Sequence, residues 1–329
     1  AVRCRPGWAA AAVSSMCSAI EVTTLSDVIL HHHDPSPFAE KVRLALGLKG
    51  LPWQSVQIPM VMPKPELTAL TGGYRKTPVL QIGADVYCDT RRIALELERR
   101  FPGSSLFPGG AEGVALALGY WSDTALFQPG AALSMGTNEQ IPAPVLEDRM
   151  AFFDFLEDDD LRAPPDHFFS QFSAGLAQLE RMLADGRDWL LGDAPGWADV
   201  ACYSPVWMCR GNIAGGDELL APFPGLCAWE ARVSALGHGE RGELDAEAAL
   251  AVAREAEPLT RPAVADDAWP RLAPGTPVQV APDDYGRDPT AGALLVLDSD
   301  EVAILREDGA LGRVVIHFPR AGYRVDPLP

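Results

Sequence analysis

The chain has 329 residues and six cysteines, at positions 4, 17, 88, 202, 209 and 227, but no C-x-x-C pair and no metal-like spacing. Neither a zinc site nor a disulfide framework is indicated, and reducing cytosol is the compartment expected. It also lacks any Lys/Arg-rich run, and its formal net charge is -18. Nucleic acid and anionic membrane surfaces are therefore disfavoured as partners. No apolar run approaches the roughly 20 residues of a membrane span. Residues 1–15, with Ala9 to Val13, are too short and weakly apolar for a signal peptide, so Met16 is the expected start and what precedes it an extension. No GxGxxG, Walker loop or GxSxG elbow occurs, which leaves dinucleotide, nucleoside-triphosphate and α/β-hydrolase chemistry without a foothold.

What is present is a chain 47% hydrophobic, enough for two cores and a third small one. Val28-Ile29-Leu30 reads as a buried strand. Phe38, Val42, Ala45 and Leu46 then recur at helical spacing until Gly47 and Gly50 stop the helix. Residues 53–58 read as a strand and 66–70 as a short helix. Residues 79–82 and 86–88 form a hairpin turned at Gly83-Ala84-Asp85, and 90–100 a closing helix. After a linker at 106–110 the strand signals cease. Helices are expected over 112–126, 144–158, 166–185, 198–209, 225–236 and 244–257, the last of them Ala/Glu-rich and suited to a surface. Four prolines between 258 and 275 mark a second linker, and short β-rich runs follow at 278–280, 293–297, 302–305, 314–318 and 323–325.

Several residue groups have the composition of a site. Ser36 precedes Pro37, which favours helix from Pro37 onward and makes Ser36 the N-cap. Its hydroxyl then stands at the positive end of a helix, where a thiolate would be favoured, and it reads either as a cap alone or as a thiol-activating group. Pro78 lacks an N–H and belongs at a strand start, where a cis peptide turns the backbone groups of Thr77 toward a ligand. Asp89-Thr90 opens a helix and reads as an N-cap pair. His31-His32-His33 invites a metal reading, but neighbouring strand residues point to opposite faces, so the three do not converge. Residues 283–289 are polar enough for a binding loop and equally well explained as turn composition. No chemistry is assigned to His317-Phe318-Pro319-Arg320.

Ser36-Pro37-Phe38-Ala39, Thr77-Pro78-Val79-Leu80, Asp89-Thr90, and Leu190-Leu191-Gly192-Asp193 followed by Ala198-Asp199-Val200, taken in that order, resemble the glutathione transferases over roughly residues 26 to 240. The resemblance implies a thioredoxin-like α/β domain over 26–103 and an all-α domain over 111–257. A small SH3-like β-barrel at 270–326 follows, which ordinary members lack. It implies glutathione as co-substrate, with Ser36 activating its thiol in the position where omega-like members carry a cysteine. A serine forms no mixed disulfide with glutathione, so conjugation rather than thiol transfer is the chemistry implied. Thr77 and Pro78 would hold the cysteinyl part. Asp89 and Thr90, where the family more often has Glu-Ser, would hold the γ-glutamyl end, and Lys64 would face the glycyl or cysteinyl end. Asp199 matches the family's helix-capping residue, with Gly196 in place of Ser or Thr.

The function so implied is attack of the glutathione thiol on a small apolar electrophile by a cytoplasmic homodimer, with Tyr120, Trp121 and Phe127 as pocket candidates that at helical spacing serve equally as core. The alternative is a non-catalytic scaffold that recruits a partner through its β-domain. That domain is expected to dock on the helical domain, away from the glutathione site, so that truncation after Glu257 leaves glutathione affinity within a few-fold.

Overall fold

The computed structural model describes residues 28–155 and 166–329. Met16, Cys4, Cys17 and the end of the helix expected over 144–158 lie outside the described residues. Ser36 caps α1 (Pro37–Lys49), Pro37 occupies its first turn, and Gly50 ends it at φ 63°, a left-handed angle that glycine adopts without Cβ strain. Around it lie β1 (Val28–His32), β2 (Pro52–Gln57), α2 (Pro65–Thr71), β3 (Val79–Ile82), β4 (Asp85–Cys88) and α3 (Thr90–Arg100). β1 pairs in parallel with β2 and antiparallel with β3, and β3 with β4. This is the thioredoxin-like βαβ, short helix, ββα order expected from the sequence.

A helical region follows: α4 (Glu112–Trp121), a π-helical turn at Ser122–Leu126, α5 (Phe127–Thr137), α6 (Ala143–Phe152), α7 (Asp166–Met182), α8 (Trp197–Asn212), α9 (Gly216–Leu220) and α10 (Pro224–Ser234). α5 was not expected from the pattern. Pro129, Gly130 and Gly136 dilute its helical signal, yet tertiary packing buries Phe127, Pro129 and Leu133. Asp199, near the start of α8, accepts the backbone N–H groups of Gly196 and Leu190 and the Trp229 indole N–H at 3.0, 2.8 and 2.8 Å. One carboxylate thereby fixes three segments.

At Glu240 the chain returns to the first sheet. β5 (Glu240–Glu243) pairs in parallel with β2, and α11 (Ala246–Glu255) buries Ala249, Leu250 and Ala253 against α2, β2 and the C-terminal strand β10. The C-terminal strands are β6 (Ala263–Val264), β7 (Pro277–Pro282), β8 (Thr290–Leu297), β9 (Glu301–Asp308), β10 (Gly312–Pro319) and β11 (Tyr323–Pro327). They do not close into the barrel expected. They run in an open path, β11-β7-β8-β9-β10, and β10 then pairs in parallel with β4, so that one sheet continues to β3, β1, β2 and β5. The expectation of docking on the helical domain is corrected accordingly: the main attachment is to β4. The physical reason is the edge itself. Without β10, the sheet β5-β2-β1-β3-β4 would end at β4 and expose a row of N–H and C=O groups; β10 satisfies them, with Val315 N–H donating to Ala84 C=O at 2.9 Å. Val79, Val86 and Cys88 share a core with Val314, Ile316 and Phe318, while Leu80, Ile82 and Tyr87 face α1, α3 and the helices. Period-two alternation thus divides one hairpin between two cores.

Candidate active site

The N-terminus of α1 builds one wall of the site. Ser36 is buried, and its Oγ accepts the Ala39 backbone N–H at 3.1 Å. Capping uses an oxygen lone pair, so the hydroxyl proton is still free to donate. The Thr77–Pro78 peptide is cis, and Thr77 makes no backbone-to-backbone hydrogen bond among the described residues. Asp89 caps α3 with φ 72°, the one non-glycine residue with positive φ among those described. Its Oδ1 accepts the Arg91 backbone N–H at 2.9 Å. Its Oδ2 accepts the Tyr323 hydroxyl at 3.2 Å, and that hydroxyl is 3.1 Å from the Tyr74 hydroxyl. Burial works to raise the Asp89 carboxyl, but the Arg91 guanidinium and N–H outweigh it and hold the group below the usual carboxylate range. Asp89 is therefore an anion at neutral pH.

A cavity of about 470 Å³ brings together Ser36, Lys64, Thr77, Pro78, Asp89, Thr90, Tyr120 and Phe127. Trp121 is not part of its wall and packs half-buried against the main core. Lys64 is 3% exposed, not the solvated lysine that its Pro-Lys-Pro loop reads as, and its Nζ lies 3.4 Å from both Thr77 Oγ1 and Arg75 C=O. Burial, with Arg149 nearby, lowers its ammonium to about 8. His33 also lines the cavity. Its Nδ1 is buried without a partner among the described residues, and burial with Lys64 nearby lowers the ring to about 3, so it is neutral. His31 and His32 point to separate partners, His31 Nε2 lying 2.8 Å from Gln81 Oε1 and His32 Nε2 3.0 Å from Ser55 Oγ.

Sequence reasoning missed the contributions that come from far along the chain. Asp284 and Tyr285, on the β7–β8 loop, line the cavity, and Tyr323 on β11 holds Asp89. The C-terminal sheet therefore does reach the site, contrary to expectation. The polar run 283–289 was the one local signal, and its turn composition concealed it. Phe38, Arg75, Lys76, Asp123, Phe152 and Phe153 complete much of the wall; at helical or loop spacing nothing distinguished them from core or solvated residues. His317 forms no part of the cavity wall. It sits where β10 meets β4, with Nδ1 2.5 Å from Glu301 Oε1 and Nε2 3.1 Å from Asp85 Oδ1. Burial opposes its protonation, and the two carboxylates outweigh burial and hold the imidazole above its usual range.

Comparison with known proteins agrees with this architecture. The family model described as Glutathione S-transferase, N-terminal domain, matches residues 30–105, and that for the C-terminal domain matches residues 150–232. A plant relative, Glutathione S-transferase U4 of Arabidopsis thaliana, is 23% identical over 200 residues, covering 59% of this chain and 78% of its own length. The crystal structure of a glutathione transferase family member from Pseudomonas fluorescens with two glutathione bound shares the fold, at TM-score 0.51 and 18% identity, over 66% of this chain and 95% of that one. The crystal structure of a GST-like protein from Pseudomonas syringae is 35% identical, with TM-score 0.75, over 92% of this chain and 100% of that one, a share too large to leave out the C-terminal strands. With its two domain matches and a third of its residues shared with a solved GST-like protein across that protein's whole length, the chain belongs to the glutathione S-transferase family.

Proposed function

We propose that the protein binds glutathione in the cavity described above and activates its thiol for attack on a small apolar electrophile. The observation that carries this reading is the convergence on one cavity of Ser36 at a helix N-terminus, the free backbone of Thr77 before a cis proline, and the Asp89-Thr90 pair. Thr77 would pair with the cysteinyl backbone like an added strand. Asp89 would receive the γ-glutamyl ammonium, and Thr90 with the N-terminus of α3 its carboxylate. The Ser36 hydroxyl would donate to the thiolate, whose charge the α1 N-terminus also favours, by about 0.3–1 kcal/mol for the helix end alone. The thiol proton passes to solvent and the thiolate sulfur bonds to the electrophilic carbon as that carbon's bond to a leaving group breaks or its conjugated π pair shifts away. Lys64 would face the glycyl end.

Ser36 occupies the place of the cysteine in omega-like members, and a serine there supports conjugation over thiol–disulfide exchange. Phe127 and Tyr120 belong to the second-substrate side of the cavity. The same reading takes the protein as a cytoplasmic homodimer with a detoxifying role, and light scattering at micromolar concentration tests the dimer. Among the described residues no helix is long and apolar enough to cross a membrane. The scaffold alternative has less support, since the C-terminal strands extend the sheet and the β7–β8 loop lines the cavity. Calorimetric titration with glutathione tests the reading: binding at millimolar concentration or tighter is expected, and its absence refutes it. Ser36→Ala should lower glutathione conjugation tenfold or more; a variant as active as the parent makes Ser36 a cap alone.

A further inference from the structure

The second-substrate side of the cavity contains a group from outside both family domains. Tyr285 is 6% exposed and its ring is held from several directions, with centroids 4.9 Å from Phe153, 5.3 Å from Phe152 and 6.3 Å from Phe127. Lys76 Nζ lies 4.1 Å from the same ring centre and 2.5 Å from Asp284 Oδ1, tying the loop to the segment that leads into Thr77. Gly286 lets the loop close: at φ 58° and with a hypothetical Cβ 2.1 Å from Phe152, no other residue fits without displacement. The ring is thus fixed, its hydroxyl donates to none of the described residues, and the side chain is part of the cavity wall. A phenol whose ring is packed in place and whose hydroxyl opens on a ligand cavity is a donor placed for a ligand. Burial also pushes its ionisation well above the usual tyrosine range, so it keeps its proton at any physiological pH.

We propose that the Tyr285 hydroxyl donates a hydrogen bond to the second substrate, and that this substrate is an aromatic electrophile whose reacting carbon is conjugated to an oxygen. This inference rests on the glutathione reading above. The walls of Phe38, Phe127, Phe152 and Phe153 suit a flat ring, and a single fixed donor suits an oxygen that gains negative charge as sulfur attacks. For an enone, the thiolate sulfur bonds to the β-carbon and the C=C electron pair shifts to an enolate. The enolate oxygen accepts from Tyr285. Solvent then protonates the α-carbon, which balances the proton released by the thiol.

The test compares two one-ring probes with glutathione and the full chain: 4-phenyl-3-buten-2-one, which has the oxygen, and benzyl chloride, which does not. Tyr285→Phe keeps the ring and should lower the ratio of kcat/KM for the enone to that for the halide by about tenfold or more. A ratio changed less than twofold, including parallel loss on both probes, overturns the proposal and leaves Tyr285 as wall. A second measurement needs no variant: the parent protein should bind the glutathione adduct of the enone about fivefold or more tighter than the analogue with CH₂ in place of C=O. Equal binding overturns the proposal. A chain that binds glutathione but conjugates neither probe refutes this inference and leaves glutathione binding standing, whereas absence of glutathione binding refutes both.

Discussion

Two helix N-termini face the same cavity, and they are finished in different ways. At α1 the cap is neutral and local: Ser36 Oγ takes the N–H of a residue three positions on, and Pro37 sets the first turn. At α3 the cap is charged and shared. Asp89 takes a local N–H with one oxygen, and with the other a hydroxyl 234 residues away on β11. The first is suited to a thiol that must become an anion, since a carboxylate there would repel it. The second is suited to an ammonium, and a distant tyrosine holds the carboxylate in a backbone conformation that non-glycine residues rarely adopt. The contrast is between a group that a helix makes by itself and one that only the assembled sheet can orient.

The severest way to break this comparison is to remove residues 258–329. The β4 edge loses β10, Val86 and Cys88 lose Ile316 and Phe318, and the site loses Tyr285 and Tyr323. The truncated chain should aggregate or melt at least about 10 °C lower, and calorimetry should detect no glutathione binding in any folded fraction. Affinity within a few-fold of the full chain would show that β11 contributes nothing to Asp89. Asp89→Asn is gentler: it keeps the shape and removes the charge that the proposed function sets opposite the ammonium. Since a hydrogen bond to a charged group contributes about 1.5–3 kcal/mol, the glutathione Kd should rise about tenfold or more. An unchanged Kd would reduce Asp89 to an ordinary cap like Ser36.

Tyr323→Phe separates the two caps more finely. Loss of one neutral donor to Asp89 should weaken glutathione binding about threefold to fivefold. A ligand lacking the α-amino group should not sense the change, because it does not use the Asp89 carboxylate. Equal weakening for both ligands would make Tyr323 a packing residue.

The smallest effect is expected at the junction of the two sheet halves. His317 is held above its usual value of 6.5 by Asp85 and Glu301, so the stability it contributes is fully present below pH 6.5 and is lost as pH rises through the folded-state value. Each unit of that elevation corresponds to about 1.4 kcal/mol. Urea midpoints followed from pH 6 to 9 should fall for the parent and run flatter for His317→Gln. His31, His32 and His33 have the opposite sign. Burial lowers His31 to about 4 and His32 and His33 to about 3, so they destabilise the fold as pH drops below 6.5.

Much of this protein could be read from local pattern. Period-two and helical spacing located β1 to β4, α1, α3 and β7 to β11, and Ser36, Thr77-Pro78 and Asp89-Thr90 were recognisable because turns, caps and strand-start prolines involve neighbours in sequence. α5 escaped because packing overrode a Pro/Gly-rich composition. β5, Glu-Arg-Gly-Glu, escaped because a partly exposed edge strand carries no apolar alternation. Only the tertiary structure decided that β10 would dock on β4, that Lys64 would be buried beside Thr77, that Tyr285 would line the cavity and that Tyr323 would hold Asp89. Main-chain pairing between strands more than two hundred residues apart is nearly indifferent to side-chain identity, so no local periodicity records it. A tyrosine reads the same in sequence whether its hydroxyl meets water, another tyrosine or a ligand.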